Sequence, residues 1–216
     1  MTTFEQGTRV QFLLHVPWLE SSHGKRSSQL VEMIDLLPTL VELAGLSLPT
    51  NQTYDGVSLV CVLDHSCTRT GKNSSFSQYP RLPKVLTANG TVNTSLLWAD
   101  NRAGSAPRSE FYAMGHSVRT DTFRYTEWVL WDAARDQPNW GLPLAGQELY
   151  LHAHDKIRDF DSYENQNLAK NKDYAAVVVE LSGFLRYFFQ TAECTSTLCS
   201  ANESARARAA QGILGY

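Results

Sequence analysis

Apolar residues in the first part of the chain form one continuous run and one run at helical spacing. Residues 9–16 are mostly apolar and end at Pro17, which predicts a strand buried on both faces of a sheet. Residues 31–46 carry apolar side chains at helical spacing, with Asp35 placed to cap the helix and Gly45 to end it. One strand and one helix bury each other poorly, so we expect these residues to lie at the end of a larger α/β sheet.

Further along the chain the pattern changes to short strands followed by an amphipathic helix. Four segments predict strands: residues 74–79, 111–119, 123–131 and 148–152. The short link at residues 120–122 predicts an antiparallel hairpin. Residues 168–189 carry one apolar stripe, which predicts a helix that closes the sheet. The predicted fold class is therefore α/β, the end of a larger sheet followed by a small α+β subdomain with an antiparallel sheet and a closing helix.

These patterns divide the chain into three parts. Residues 1–72 are predicted to hold the last strand and helix of an incomplete α/β domain. Residues 73–190 form the predicted α+β subdomain, which includes a long irregular excursion at residues 80–107. Residues 191–216 are small, polar and rich in Arg and Ala, so we expect a flexible tail there.

Composition and charge narrow the function classes. The chain has 216 residues, of which 43% are hydrophobic and 19% charged, and this balance is typical of a globular protein. A formal net charge of −3 offers no basic field for nucleic acid. No stretch of about 18 apolar residues is present, so we expect no membrane span. The amino terminus also lacks the apolar segment of a signal peptide.

Two features nevertheless indicate a secretory protein. Candidate glycosylation sites exceed the roughly two sequons expected by chance: Asn51, Asn73, Asn89, Asn93 and Asn202. The cysteines form two close pairs, Cys61 with Cys67 and Cys194 with Cys199. Local disulfides or free thiols are favoured over zinc, because no His cluster completes a metal site. Secretory features without a signal peptide suggest that an amino-terminal portion is missing.

Several motifs, in order along residues 4–190, resemble the carboxy-terminal half of sulfatases. FEQGTRV resembles the start of a late strand of the family's central sheet, residues 35–46 resemble its DL-x-PTL-x-x-LAGL helix, and DGVSL is similar to its DG-x-SL motif. Four further motifs resemble those of iduronate-2-sulfatases and late sulfatase segments: SQYPR, MGHSVRT, RYTEW and ELY followed by ENQNLA. The resemblance implies that the first part of the chain ends an alkaline-phosphatase-like sulfatase sheet.

The resemblance implies an enzyme that hydrolyses sulfate esters of glycosaminoglycans with a formylglycine nucleophile and a calcium ion. The family makes its nucleophile from the Cys or Ser of a C/S-x-P-x-R motif, and carboxylates and an amide hold the calcium. This sequence contains no such motif, so we predict no catalytic and no metal-binding residue here. The calcium ligands are expected in an amino-terminal sulfatase portion, which is the expected partner together with a sulfated glycan.

The resemblance also implies that this subdomain lines one wall of the substrate cleft. An iduronate sulfate carries a carboxylate and a sulfate, which Arg recognises through its planar fork of donors. The candidate substrate-binding residues are Gln78, Tyr79, Arg81, Trp98 and His116. Alternatively, Tyr79 packs in the core, Arg81 pairs with a carboxylate, and His116, which replaces a Tyr of the motif, is an ordinary strand histidine. Arg119 and Arg124 flank the hairpin and favour structural ion pairs.

Three functions therefore stay open. The first is a fragment of a lysosomal or secreted sulfatase that is inactive by itself. The second is a non-catalytic pseudoenzyme that binds sulfated glycans, and a C/S-x-P-x-R motif upstream would decide between the two. The third is cleavage of phosphate esters or phosphonates, against which the SQYPR and RYTEW motifs argue.

Overall fold

The computed structural model of the chain describes residues 3–67, 70, 72–82, 106–153 and 164–192. These residues divide into two compact units, one of residues 11–75 and one of residues 3–10 with residues 76–192. Within the described residues, no helix combines the length and the apolar character that a membrane span requires.

An antiparallel sheet dominates the second unit. Its strands are β1 (Ser74–Arg81), β2 (Ala113–Thr120), β3 (Phe123–Asp132), β4 (Gln137–Pro138) and β5 (Gly146–Leu151). They follow the order β1-β2-β3-β4, and β5 also pairs with β3. In the register, Tyr125 lies opposite both Val118 of β2 and Leu149 of β5. The hairpin and the antiparallel sheet predicted from the alternating pattern are confirmed.

The helices are α1 (Glu5–Thr8), α2 (Leu36–Leu43), α3 (Val60–Leu63) and α4 (Ala175–Ala192). Short 3-10 turns occur at Glu20–Ser22, Met33–Asp35, Arg108–Glu110 and Lys172–Tyr174. Helix α4 covers one face of the sheet, as the apolar stripe predicts. The buried core between them consists of Val118, Tyr125, Leu149, Leu168, Leu181, Leu185 and Phe189.

A buried carboxylate fastens α4 to the sheet. Glu127 of β3 is fully buried and accepts hydrogen bonds from the Tyr125 hydroxyl at 2.8 Å and the Ser182 hydroxyl at 2.6 Å. Arg186 of α4 donates from Nε to the second carboxylate oxygen at 2.8 Å. Burial, together with the neighbouring charge of Glu127, raises the pKa of the Tyr125 phenol. The network places two polar groups of α4 on one acid of the sheet, so it fixes the position of the helix as well as its direction.

The predicted strand at residues 9–16 is not present. Its backbone has no strand assignment, and the side chains of Val10 and Leu13 are 66% and 87% exposed. The physical reason is that a strand needs a neighbour for its backbone groups, and no strand of the described residues lies beside this segment.

Helix α2 forms within the predicted segment, but Asp35 does not cap it as expected. Its buried carboxylate instead accepts the backbone N–H groups of Glu32 at 2.8 Å and Val57 at 3.0 Å, and an ammonium hydrogen of Lys72 at 2.8 Å. Gly45 ends the helix as predicted, with a φ of +66° that favours glycine.

Gly56, in the DGVSL motif, allows a close backbone approach in the same unit. A Cβ at this position would lie 2.0 Å from the carbonyl oxygen of Ile34. Thr39 of α2 then accepts the N–H of Leu59 at 3.0 Å through its hydroxyl. The sulfatase-like spacing of these residues therefore has a packing reason, since a loop lies directly on the start of a helix.

Candidate functional site

The candidate residues of β1 do not share one face of the strand. Side chains alternate along a strand, so Tyr79 and Arg81 lie on one face and Gln78 on the other. Tyr79 is 9% exposed, whereas Gln78 is exposed. The burial of Tyr79 favours the packing role for this residue. The strand brings Tyr79 and Arg81 together and separates Gln78 from them.

Arg81 lies over an aromatic ring of β3. Its guanidinium carbon is 4.8 Å from the centroid of the Trp128 ring, within the range of a cation–π contact. The indole N–H of Trp128 donates to Oε1 of Glu148 at 3.0 Å. A Cβ on Gly115 would lie 2.6 Å from an atom of the same ring, so the indole lies directly on the β2 backbone. Gly115, Trp128 and Glu148 together hold the surface against which the guanidinium lies.

Arg124 provides a second cation on the same face of the sheet, and it is 1% exposed. Its Nε donates to Oε1 of Glu164, and its Nη1 donates to the Thr126 hydroxyl at 2.6 Å. The guanidinium carbon also lies 4.9 Å from the ring centroid of Phe4 and 4.8 Å from that of Tyr150. The structural ion pair predicted for Arg124 is therefore present.

Glu164 joins the amino-terminal residues to the sheet. Its Oε2 accepts the N–H of Glu5 at 2.7 Å, and its Oε1 lies 3.1 Å from Nε2 of His152. The carboxylate of Glu5 accepts a hydrogen bond from Nε of Arg119 at 3.1 Å, which is the second predicted ion pair. Burial raises the pKa of Glu164, but hydrogen bonds from His152 and Arg124 and the charge of Arg124 outweigh it, and the pKa falls below its usual value.

Glu5, His152 and Glu164 are the one group of potential metal ligands in the part of the chain that the structure describes. One ligand atom of each lies within 4.8 Å of the others. Calcium takes about six to eight oxygen ligands. Here both carboxylates already pair with guanidinium groups, those of Arg119 and Arg124. A divalent cation would be repelled by two positive charges, so these residues do not fit a calcium site.

His116 lies in the core instead of on a surface. It is fully buried, and its ring centroid is 4.7 Å from that of Trp140 and 4.4 Å from that of Phe189. This position favours the packing role of an ordinary strand histidine over a sugar contact. The remaining substrate candidate, Trp98, lies outside the described residues.

A small cavity borders the ion network, with a volume of about 250 Å³. It is lined by Tyr150, Leu151, Glu164, Asn165, Gln166, Leu168 and Tyr174. Binding pockets for small molecules are usually larger, from roughly 300 to 1,000 Å³. The lining also has no Lys or Arg, whereas it has a carboxylate, so this cavity does not suit a sulfated sugar.

The predicted disulfide and glycosylation sites lie only partly within the described residues. Cys61 and Cys67 form a disulfide across a Cα–Cα distance of 5.1 Å, which confirms the local pairing predicted for this pair. Asn51 is exposed in a turn, and Asn73 is half-buried before β1. The other predicted sites lie outside the described residues: Cys194, Cys199, Asn89, Asn93 and Asn202.

Sequence reasoning does not find the group of Glu5, His152 and Glu164. Glu5 and Glu164 are separated by 159 residues, and no spacing rule connects them. The available signal is that Glu164 begins the ENQNLA motif. Its φ of +61°, which non-glycine residues seldom adopt, sets its backbone apart as well.

Comparison with known proteins agrees with the sequence motifs. The chain is 24% identical to the iduronate 2-sulfatase of Mus musculus over 193 residues, which is 76% of this chain and 34% of the relative. It is 37% identical to a sulfatase of Formosa agariphila over 82 residues, 37% of this chain and 15% of that protein. The chain is related to the carboxy-terminal part of sulfatases.

No family model matches the chain. Among solved structures, the phosphonate monoester hydrolase SpPMH of Silicibacter pomeroyi superposes with a TM-score of 0.45 and 23% identity, over 74% of this chain and 25% of that one. The chain spans about a third of the length of the mouse iduronate 2-sulfatase that it matches.

Proposed function

We propose that this chain works as the carboxy-terminal part of a sulfatase that hydrolyses sulfate esters of glycosaminoglycans, of the iduronate-2-sulfate type. The supporting observation is the similarity to iduronate 2-sulfatase over 76% of the chain. In this proposal the nucleophile and the calcium ligands belong to an amino-terminal sulfatase portion, and the chain alone is inactive. The complete protein works in lysosomes or outside the cell.

The apolar surface of residues 11–75 supports a partner of this kind. Met33, Leu37 and Leu40 follow one another at helical spacing and are 68%, 51% and 48% exposed. A patch of this type marks a surface that packs against something else. We infer that the sulfatase portion covers it, and that residues 9–16 become a strand when they pair with the sulfatase sheet.

The contribution of this chain to substrate recognition is proposed for Arg81. The cation–π contact with Trp128 holds the guanidinium of Arg81 against the indole, which lowers the side-chain entropy that is lost when an oxyanion binds. A guanidinium forms paired, charge-assisted hydrogen bonds with a carboxylate or a sulfate. We propose that Arg81 contacts the carboxylate of an iduronate residue. Gln78 and Trp98 stay proposed contacts, without a geometry of their own.

A second proposed function is that of a pseudoenzyme, which binds sulfated glycans without hydrolysis. The sequence contains no C/S-x-P-x-R motif. The two functions differ in a single measurable property, because both require glycan binding and only the first requires turnover.

The experiment combines the chain with a sulfatase portion that carries the nucleophile motif. The pair and the chain alone are assayed on an iduronate-2-sulfate disaccharide and on 4-nitrocatechol sulfate, which has no carboxylate. We expect turnover of both substrates by the pair and none by the chain. The R81A variant is expected to raise KM for the disaccharide by about 10-fold or more, because a charge-assisted contact is lost.

The same variant leaves KM for 4-nitrocatechol sulfate unchanged, since that substrate lacks the group that Arg81 contacts. R108A is the matched control, because Arg108 is 65% exposed and pairs only with exposed Asp136 among the described residues. Turnover by the chain alone contradicts the proposal that the catalytic residues lie in the amino-terminal sulfatase portion. Glycan binding by the pair without turnover favours the pseudoenzyme.

A further inference from the structure

His116 is a titratable group buried between the sheet, α4 and the loop that carries Trp140. Its exposure is 0%, and neither ring nitrogen has a hydrogen-bond partner of good geometry among the described residues. The ring lies between Trp140, at 4.7 Å between centroids, and Phe189 of α4, at 4.4 Å. A neutral imidazole is accommodated here as an aromatic ring, whereas an imidazolium would lose its hydration without gaining an acceptor.

Among the described residues, charged groups near His116 come from β3 and from α4. On β3, Glu127 lies directly opposite His116 in the register, and on β5, Gln147 is paired with Glu127. From α4, Arg186 binds Glu127 and also lies 5.6 Å from the centroid of Trp140. The Glu127 carboxylate therefore already accepts hydrogen bonds from Arg186 and from two hydroxyl groups. It is not available to stabilise a protonated His116.

We propose that the seating of α4 on the sheet requires a neutral His116, so that acid loosens this helix selectively. Protonation places a charge between Trp140 and Phe189, and the charge is relieved when α4 lifts and water reaches the ring. This inference concerns the conformation of α4 and does not rest on the proposed sulfatase function.

The direction of the effect follows from burial. Burial lowers the pKa of His116 from 6.5 to about 4, and a backbone contact with Met114 acts in the opposite direction without cancelling it. The open state binds the proton more readily than the closed one, so closure is favoured at neutral pH and is progressively lost as the pH falls from about 6.5 towards 4. Linkage between these two values predicts that the opening equilibrium constant increases about 20-fold from pH 7 to pH 5.

The experiment measures hydrogen exchange along the full 216-residue chain at pH 7 and pH 5. Peptides from residues 175–192 report opening of α4, and each rate is compared with that of the H116F variant at the same pH. H116F retains an aromatic ring and cannot titrate. We expect the opening constant of the natural chain to increase about 20-fold more than that of H116F, with no such excess in residues 36–43 of the other unit.

A second measurement follows the titration of His116 in the natural chain itself. Nuclear magnetic resonance of the histidine ring protons in the natural chain follows all six histidines, and His116 is identified by the loss of its signal in H116Q. The expected result is one histidine that stays neutral down to pH 5. A titration midpoint above 6 for His116, or equal acid opening of α4 in the natural chain and H116F, overturns the proposal.

Discussion

At the scale of single residues, the buried ion pair between Arg124 and Glu164 contributes to the free energy of unfolding. Glu164 neutralises a guanidinium that is 1% exposed, and it also accepts the Glu5 N–H. We predict that Glu164→Gln lowers the free energy of unfolding at pH 7 by about 3 kcal/mol, because a buried cation loses its main partner. Urea denaturation measures the change in the free energy of unfolding, and hydrogen exchange in β3 measures it independently.

The matched control is Asp136→Asn, which removes a carboxylate 3.2 Å from Arg108 where both side chains are more than half exposed. An exposed pair contributes about 0–1 kcal/mol, so this variant should be nearly neutral. Since the pKa of Glu164 is depressed, the contribution of this residue to the free energy of unfolding is fully present above about pH 4.5 and is lost as the pH falls below that value. Equal effects of the two substitutions would show that Glu164 has no special role.

At the scale of elements, the β2–β3 hairpin depends on an unsubstituted position beneath an indole. A Cβ on Gly115 would lie 2.6 to 2.9 Å from three ring atoms of Trp128, and the hydrogen bond from the indole N–H to Glu148 opposes a shift of the ring. We predict that Gly115→Ala lowers the free energy of unfolding by about 1–3 kcal/mol, the usual cost of overpacking. Thermal unfolding of this variant and of the natural chain tests the prediction.

The same chemical change should have the opposite sign in α4. Gly183 has nothing within 4 Å of the position that a Cβ would take. Gly183→Ala is therefore expected to stabilise the chain by roughly 0.5–1 kcal/mol, because Ala is the better helix former. If Gly115→Ala proves as stabilising as Gly183→Ala, the indole does not rest on the β2 backbone.

Helices and strands are the features that the sequence predicts best. The two predictions that fail, the strand at residues 9–16 and the Asp35 cap, share a cause. The alternation along β2 and β3 and the stripe of α4 are local patterns, and the structure follows them. Residues 9–16 also have a strand pattern, but a strand depends on a neighbour that no local pattern supplies. Asp35 has the sequence position of a cap, yet Val57 and Lys72, distant in sequence, take its oxygens.

At the scale of the whole molecule, the site is harder to predict than the fold. Sequence motifs identify Arg81 as a candidate, but not the Trp128 ring beneath it, because 47 positions separate them in the sequence. The contact between Glu5 and Glu164 is equally hard to predict, because it forms only in the assembled sheet. A resemblance to a family thus transfers the identity of residues, whereas the contacts that give them a role come only from the fold.

The same scale determines how the chain behaves alone. The apolar stripe of α2 stays exposed, and the association of such surfaces is driven by the removal of apolar area from water. We predict that the isolated chain self-associates at micromolar concentration and that the double variant Leu37→Gln with Leu40→Gln shifts it towards the monomer. Sedimentation velocity measures the change. Val179→Gln is the control, because Val179 is 73% exposed on α4, outside the stripe, and its replacement should leave association unchanged. A natural chain that stays fully monomeric at this concentration would contradict the prediction and remove the support that these exposed residues give to a sulfatase partner.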